Sequence, residues 1–327
     1  MRISLNDNTI QVAVGVIIND KDEVLIALRP KHKPQGGLWE FPGGKKKSNE
    51  TIELALEREF LEEISIRVKT YFPLQKIQHS YRKYSVILDV WMITEYAQTP
   101  KGAEGQCIEW RSVQSLQYED FPDANKKIIK ILKLPKFLPI TPDIKNFGSF
   151  KNLLKVYSLQ MISLVQFRQT HLNSEEYLHC FKKAQIAADD YGIRLLFNGE
   201  LKDFHESEAV GFHANSRRLM QMEKRTVESC RYFGASCHNL IELKKALDLD
   251  VDYVSLSPVL DTEKYNEFIG WETFHKLASR VHLPVYALGG VGPKDLRTVR
   301  AHGGYGVSGI SSWLINMNFS PGQTRSH

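Results

Sequence analysis

Between residues 43 and 66 the chain runs GGKKKSNETIELALEREFLEEISI, and few folds can accommodate that stretch. Glu59, Glu62 and Glu63 recur at spacings that put them on one face of a helix of about 3.6 residues per turn. Like charges so placed repel by about 0.2–0.5 kcal/mol per pair, so the face calls for a counter-charge. A bound Mg²⁺ or Mn²⁺ answers the pattern, because both prefer hard oxygen ligands. Upstream, Glu40, Phe41, Pro42, Gly43 and Gly44 lead from a strand-like run into a loop. The paired glycines let the backbone turn sharply and bring a carbonyl close to a metal. Ser48 and Asn49 are N-cap candidates, and Glu50 stands near the positive end of the helix dipole. A merely solvated Glu/Arg-rich helix leaves unexplained why the Gly, Glu, Arg and Glu positions all agree along the stretch.

These residues resemble the Nudix box, G-x5-E-x7-R-E-U-x-E-E-x-G-U, with U a bulky apolar residue. Gly44 fills the first glycine, Glu50 the first acid, Arg58-Glu59 the RE pair, Phe60 the first U, Glu62-Glu63 the EE pair and Ile66 the last U. Ser65 departs from the pattern, which has a helix-ending glycine there, normally with positive φ. Serine at that place costs stability and removes no metal ligand. The resemblance implies an α/β/α sandwich around a mixed sheet, with Glu59, Glu62 and Glu63 catalytic and ligating Mg²⁺ or Mn²⁺ beside the Gly43 carbonyl. It also implies a Glu50–Arg58 salt bridge that aims the helix.

Outside the box the likeness is to the 8-oxo-dGTP diphosphatases of MutT type. KGAEGQCIEW at 101–110 resembles that family's loop with an additional acid, which places Glu104 near the metals. FPDAN at 121–125 resembles its FPxAN, whose asparagine reads the purine, so Asn125 is the base-reading candidate; the other role open to it is a helix N-cap. Arg29 matches a phosphate-contacting arginine, Glu40 falls among the substrate-binding positions, and Phe41 would pack beside the base. Tyr84 stands where that family has a nucleotide-contacting arginine, with Arg82 and Lys83 close by as substitutes. The implied activity releases pyrophosphate from a purine nucleoside triphosphate, 8-oxo-dGTP above all. That activity keeps oxidised purines out of DNA and so prevents mutation.

At 327 residues the chain has room for two domains. Its 42% hydrophobic and 25% charged residues describe a globular protein. No apolar run approaches the ~20 residues of a membrane span, and the first residues lack a charged leader followed by an apolar core. The four cysteines, Cys107, Cys180, Cys230 and Cys237, form no CxxC pair. That argues against structural zinc or a disulfide framework and fits a reducing cytoplasm. The net charge of +5, without a dense basic and aromatic patch, gives no sign of duplex nucleic-acid binding.

Residues 10–19, 24–28 and 85–93 read as strands, 51–64 and 124–132 as helices, and the proline-bearing 132–143 as a linker. The domains are therefore expected at 1–134 and 135–327. Beyond the linker, short apolar runs alternate with helical patterns, which implies parallel strands with helical crossovers, a (β/α)8 barrel of near-minimal length. Gly289 and Gly290, and Gly309, lie in glycine-rich pieces that fit phosphate loops after the seventh and eighth strands. This half resembles thiamine-phosphate synthase and its TenI relatives. The residues that carry the likeness are Gln166-Phe167-Arg168, Gly211-Phe212-His213, Ala235-Ser236-Cys237-His238, Ser257-Pro258-Val259-Leu260 and Ala287-Leu288-Gly289-Gly290. It fails where synthase chemistry needs it. Asn198-Gly199-Glu200 replaces an Asn-Asp-Arg that supplies a metal-linked Asp and a pyrophosphate-contacting Arg. The threonine-rich pyrophosphate loop is reduced to DTEK at 261–264, and Ser257 replaces the TenI histidine. The expected barrel binds a phosphorylated ligand or stabilises the protein without synthase turnover. Two other readings stay open: a thiamine-pathway Nudix pyrophosphatase, and a barrel that senses a ligand for the Nudix half.

Overall fold

The structure, a computed structural model, describes residues 9–82, 84–262 and 267–313. Lys83, Glu263 and Lys264 lie outside them. The chain divides into two compact units, Met1–Leu134 with Ser279–Pro284, and Pro135–Ala278 with Val285–His327.

The first unit holds β1 (Thr9–Ile17), β2 (Glu23–Leu28), β3 (Trp39–Glu40), β4 (Gly43–Lys45), α1 (Ile52–Ile64), β5 (Arg67–Ser80), β6 (Ser85–Ala97), β7 (Ile108–Ser112) and α2 (Asp123–Leu132). One sheet has the order β4-β1-β6-β5, the other β3-β2-β7. The first is mixed: β1 runs parallel to β6, from Thr9↔Ser85 to Ile17↔Ile93, and antiparallel to β4. β5 went unread in the sequence because its polar residues and Pro73 break the alternation; its pairing with β6 slips at three places, one of them between Pro73 and Gln75. Helix α1 buries Ala55, Leu56, Phe60 and Ile64 against Ala13, Ile17, Leu25 and Ile93. Each large apolar side chain so buried contributes about 1.5–3 kcal/mol. Its N-cap is Thr51, whose side chain accepts from the Leu54 N–H at 3.3 Å, so neither Ser48 nor Asn49 caps it. Thr51 wins because its hydroxyl sits immediately before the first helical residue.

The second unit alternates β8 (Phe137–Pro139), α3 (Phe147–Leu159), β9 (Leu164–Phe167), α4 (Ser174–Asp189), β10 (Arg194–Phe197), α5 (Leu201–Phe204), β11 (Gly211–Ala214), α6 (Ser216–Gln221), β12 (Tyr232–Cys237), α7 (Leu240–Asp248), β13 (Tyr253–Leu256), α8 (Gly270–Ala278), β14 (Val285–Ala287), α9 (Leu296–Ala301) and β15 (Gly306–Gly309). All eight strands are parallel, in the order β8-β15-β14-β13-β12-β11-β10-β9. A single bridge, Ile140↔Gln166, with the Thr141 N–H donating to the Gln166 carbonyl at 2.9 Å, brings the two edges together into a barrel. The segment read as a linker thus supplies the first barrel strand, in register with β15 from Phe137↔Val307 to Pro139↔Gly309. Its prolines exclude a helix but are tolerated at a strand end. The fully buried rings of Phe167, Phe181 and Phe197 pack edge to face, with centroids 5.6 and 4.9 Å apart.

Candidate active site

Helix α1 gathers its charge on one arginine. Arg58 donates to both oxygens of Glu50, at 3.0 and 2.7 Å, and holds that carboxyl down at about 2. It also donates to the Lys45 carbonyl at 3.1 Å, which ties the helix to β4. The expected Glu50 pair is therefore present, but Arg58 reaches further, to Glu59 at 2.6 Å and Glu62 at 2.9 Å. The counter-charge the acidic face requires comes, for those two, from the helix itself.

Glu59 presses against strand β4. A Cβ built on Gly44 would fall 2.1–2.3 Å from the Glu59 carboxyl atoms, so only glycine lets the backbone come this close. Next to it, the Gly43 N–H donates to Glu63 Oε2 at 3.1 Å. Glu63 pairs with no cation among the described residues. Burial pushes its carboxyl up to about 7, and the nearby Glu40, Glu59 and Glu104 charges add to the rise.

Glu104 reaches this place through a loop that caps α1. The last carbonyls of a helix lack intrahelical partners. Here the Ala103 N–H donates to the Glu63 carbonyl at 2.8 Å and the Lys101 N–H to that of Ile64 at 3.0 Å. The Gln106 amide donates to the Glu63 carbonyl at 2.7 Å, and its oxygen accepts from the Glu104 N–H at 2.9 Å. Gln106 is a positioning residue that the sequence did not single out; a lone glutamine in a polar loop carries no pattern. Glu40 is pushed up by burial, against the pull of Arg29, which is bonded to its carboxylate. Arg29 also donates to the Pro34 carbonyl at 2.6 Å, so it is engaged within the protein. Among the described residues, no three His, Cys, Asp or Glu side chains are arrayed to hold a metal.

Phe41 is buried and stacks on Phe121, with centroids 5.6 Å apart and planes at 24°. Asn125 is not a cap. The N-cap of α2 is Pro122, and Asn125 lies within the first turn, its backbone N–H donating to the Pro122 carbonyl at 2.8 Å. Its half-buried side-chain amide has no hydrogen-bond partner among the described residues. Tyr84 packs on Tyr81 at 5.1 Å, and Arg82 is exposed.

In the second unit, Glu200 accepts from Arg218 at 2.8 and 3.2 Å, and the same guanidinium reaches Asn198 Oδ1 at 3.3 Å. A Cβ on Gly199 would meet the Phe197 ring at 2.6 Å and the Tyr177 ring at 2.7 Å, which leaves no space for an aspartate. Gly289 and Gly290 adopt positive φ, 90° and 69°. A Cβ on Gly309 would lie 2.9 Å from Ser312 Oγ and 3.5 Å from Trp313 Nε1. Both of those polar atoms are buried without a partner among the described residues. The sequence reading overlooked Ser312 and Trp313; a serine and a tryptophan after a strand resemble ordinary core.

A NUDIX-domain family model matches residues 13–131, and a thiamine monophosphate synthase model matches residues 137–313. The 8-oxo-dGTP diphosphatase of Escherichia coli (strain K12) is 36% identical over 124 residues, 38% of this chain and 96% of that protein. The thiamine-phosphate synthase of Desulfitobacterium hafniense (strain DSM 10664 / DCB-2) is 29% identical over 157 residues, 47% of this chain and 76% of that protein. A solved structure from work on MutT of Aliivibrio salmonicida and Vibrio cholerae is 36% identical, covering 38% of this chain and 96% of that chain with a TM-score of 0.34.

Proposed function

The chain belongs to the Nudix family through residues 13–131 and to the thiamine monophosphate synthase family through residues 137–313, and we propose that it is a Mg²⁺-dependent 8-oxo-dGTP diphosphatase, able to use Mn²⁺, joined to a barrel that has lost synthase chemistry. Its Nudix half makes it a hydrolase of phosphoric anhydrides, a nucleotide pyrophosphohydrolase. Residues 1–134 carry that activity and 135–327 form the barrel domain.

The carrying observation is the convergence of Glu59 on Gly44 and of Glu104 on Glu63, fixed by the loop that caps α1. No three of the acids are arrayed around a metal among the described residues, but their chemistry suits a hard divalent cation: Glu59, Glu62, Glu63 and Glu104 offer only oxygen, the Gly43 carbonyl is a further oxygen donor in the same segment, and Glu63 is desolvated with no cation of its own among the described residues. Held there, such an ion neutralises phosphate charge and lowers the pKa of bound water. Arg58 occupies Glu59 and Glu62 from one side and sets their direction. Glu63, free of Arg58, is the carboxylate placed to take the proton of the attacking water. Arg29 and Glu40, bonded to each other, belong to the substrate-binding surface. The Asn125 amide, with two donors and an acceptor, reads the purine edge, and Phe41 packs beside the base. The products are 8-oxo-dGMP and pyrophosphate, and the service to the cell is removal of oxidised purine nucleotides before replication. In the barrel, the Gly289, Gly290 and Gly309 backbone, with Ser312 and Trp313, holds a phosphorylated small molecule without turning it over.

One panel tests this: dGTP, 8-oxo-dGTP, ADP-ribose and thiamine pyrophosphate, each with Mg²⁺ or Mn²⁺, with separate readouts for pyrophosphate and orthophosphate. Pyrophosphate from the purine triphosphates, with the oxidised one preferred, is expected. Orthophosphate alone, or no product, sinks the proposal, and turnover of thiamine pyrophosphate in preference to the triphosphates reassigns the site to the thiamine pathway.

A further inference from the structure

The loop between β2 and β3 is tied by its own backbone. The Arg29 N–H donates to the Leu38 carbonyl and the Gly37 N–H to that of Arg29, each at 2.9 Å. Inside that frame the Lys33 N–H donates to the Pro30 carbonyl at 3.0 Å and the Gly36 N–H to that of Lys33 at 2.9 Å. The Arg29 side chain braces the tip through the Pro34 carbonyl. A loop bonded in this way presents its side chains at set places. Lys33 stands with its ammonium 3.7 Å from Glu104 Oε2. Its charge also reaches Glu40, helping to offset the effect of burial on that carboxyl. Lys31 and His32, in the same loop, have no acidic partner among the described residues.

As a structural strut the Lys33–Glu104 pair is poor. Both side chains are about half exposed, at 43% and 52%. The separation exceeds a hydrogen bond, and exposed ion pairs of this kind add little to stability. The pair sits, however, beside the carboxylates proposed above to hold a divalent cation, and a triphosphate bound through that cation would bring its phosphates close to Lys33. We propose that Lys33 is a substrate-binding residue: it rests against Glu104 in the free protein and moves to the substrate's phosphates when a divalent cation takes that carboxylate. A lysine suits this exchange, being a compact charge with three donors on a flexible stem. The inference deepens the pyrophosphohydrolase proposal and rests on it. It carries a two-sided consequence. Lys33 competes with the metal when no nucleotide is present, and it helps the nucleotide when the metal is bound.

The full-length protein is compared with Lys33→Gln, Lys33→Arg and the neighbouring control Lys31→Gln. Free Mn²⁺, followed by electron paramagnetic resonance without nucleotide, gives metal affinity; pyrophosphate release from dGTP gives KM and kcat. Lys33→Gln is expected to tighten Mn²⁺ about threefold by removing a competing charge near the acids. It should raise KM about tenfold while leaving kcat within about twofold, as expected when a contact made equally in the ground and transition states is lost. Lys33→Arg keeps the charge and should track the wild type on both readouts, and Lys31→Gln should move neither. An active wild type whose Lys33→Gln variant keeps its Mn²⁺ affinity, or keeps its KM, overturns the role of Lys33 alone. A wild type that releases no pyrophosphate from any triphosphate overturns the hydrolase proposal and the Lys33 proposal with it.

Discussion

Two arginines organise the two halves of this chain, and one leaves negative charge unbalanced while the other does not. Arg58 holds Glu50, Glu59 and Glu62, yet Glu63 next to them has no cation among the described residues and feels the Glu40, Glu59 and Glu104 charges. Arg218 holds Glu200 and Asn198 and lowers the Glu200 carboxyl through that hydrogen bond, so the turn after β10 is satisfied. The first network is short of positive charge, as the proposed metal and substrate would require. The second is complete in itself. A fold can persist on satisfied contacts, whereas chemistry needs groups that the fold leaves unsatisfied.

The sharpest way to break that contrast is to disturb each network in turn. Glu59→Gln should lower kcat for pyrophosphate release by ~10²-fold or more, as expected for losing a contact that matters in the transition state. Folding should barely change, because the substitution removes one of several like charges. Steady-state kinetics with a thermal melt decides it; full activity at unchanged metal affinity would take Glu59 out of the site.

In the barrel the converse holds. Restoring the acid with Gly199→Asp should give no thiamine-phosphate synthase activity and should destabilise the barrel by about 1–3 kcal/mol, the usual cost of overpacking. The Phe197 and Tyr177 rings already occupy the place of its Cβ, at 2.6 and 2.7 Å. Complementation of a strain without its own synthase, beside the melting temperature of the variant, tests both halves. Growth of that strain would show that a single side chain separates the barrel from turnover, and the contrast with the first unit would collapse.

Asn125 sharpens the comparison on the substrate side. Its amide is open, unlike the Asn198 oxygen that Arg218 occupies. Asn125→Ala should therefore raise the 8-oxo-dGTP KM, or erode its advantage over dGTP, by roughly 1–3 kcal/mol. The ratio of kcat/KM for the two substrates is the measurement, and an unchanged ratio would place base recognition elsewhere.

What the sequence disclosed follows from how each feature is written into it. The box residues and most barrel strands were readable because they repeat at the helix or strand period, or stand at fixed spacing. β8 was not, because a three-residue strand that ends on Pro139 looks like a linker until β15 supplies a partner. Thr51 follows closely on two other capping types, and composition alone cannot choose among them. The reach of Arg58 to Glu59 and Glu62 depends on rotamers, and the bracing by Gln106 depends on where a loop crosses a helix end. The sequence read the acidic face as awaiting a metal alone, whereas the helix brings part of its own counter-charge.

Ser65 gives the smallest expected effect and separates stability from chemistry within one helix. It is the C-cap of α1, at φ 59° and ψ 31°, in the left-handed region where a Cβ is strained. Its N–H and that of Ile66 both donate to the Phe60 carbonyl, a helix-ending motif that glycine normally provides. Ser65→Gly relieves the Cβ strain but gives the unfolded chain more freedom to lose, and these two effects partly offset. The net should be a gain of about 0.5–1 kcal/mol, since the left-handed penalty of about 1–2 kcal/mol is the larger of the two. Activity should stay at the wild-type level, because position 65 contributes no ligand and the backbone course is already the one glycine would take. A denaturant midpoint that rises at constant slope, with unchanged kcat/KM, is the expected result. A fall in stability would mean that the serine makes a compensating contact in the folded state. A change in kcat/KM at unchanged stability would mean that the helix end adjusts the Glu63 carboxylate, and the line drawn between scaffold and chemistry in this half would have to move.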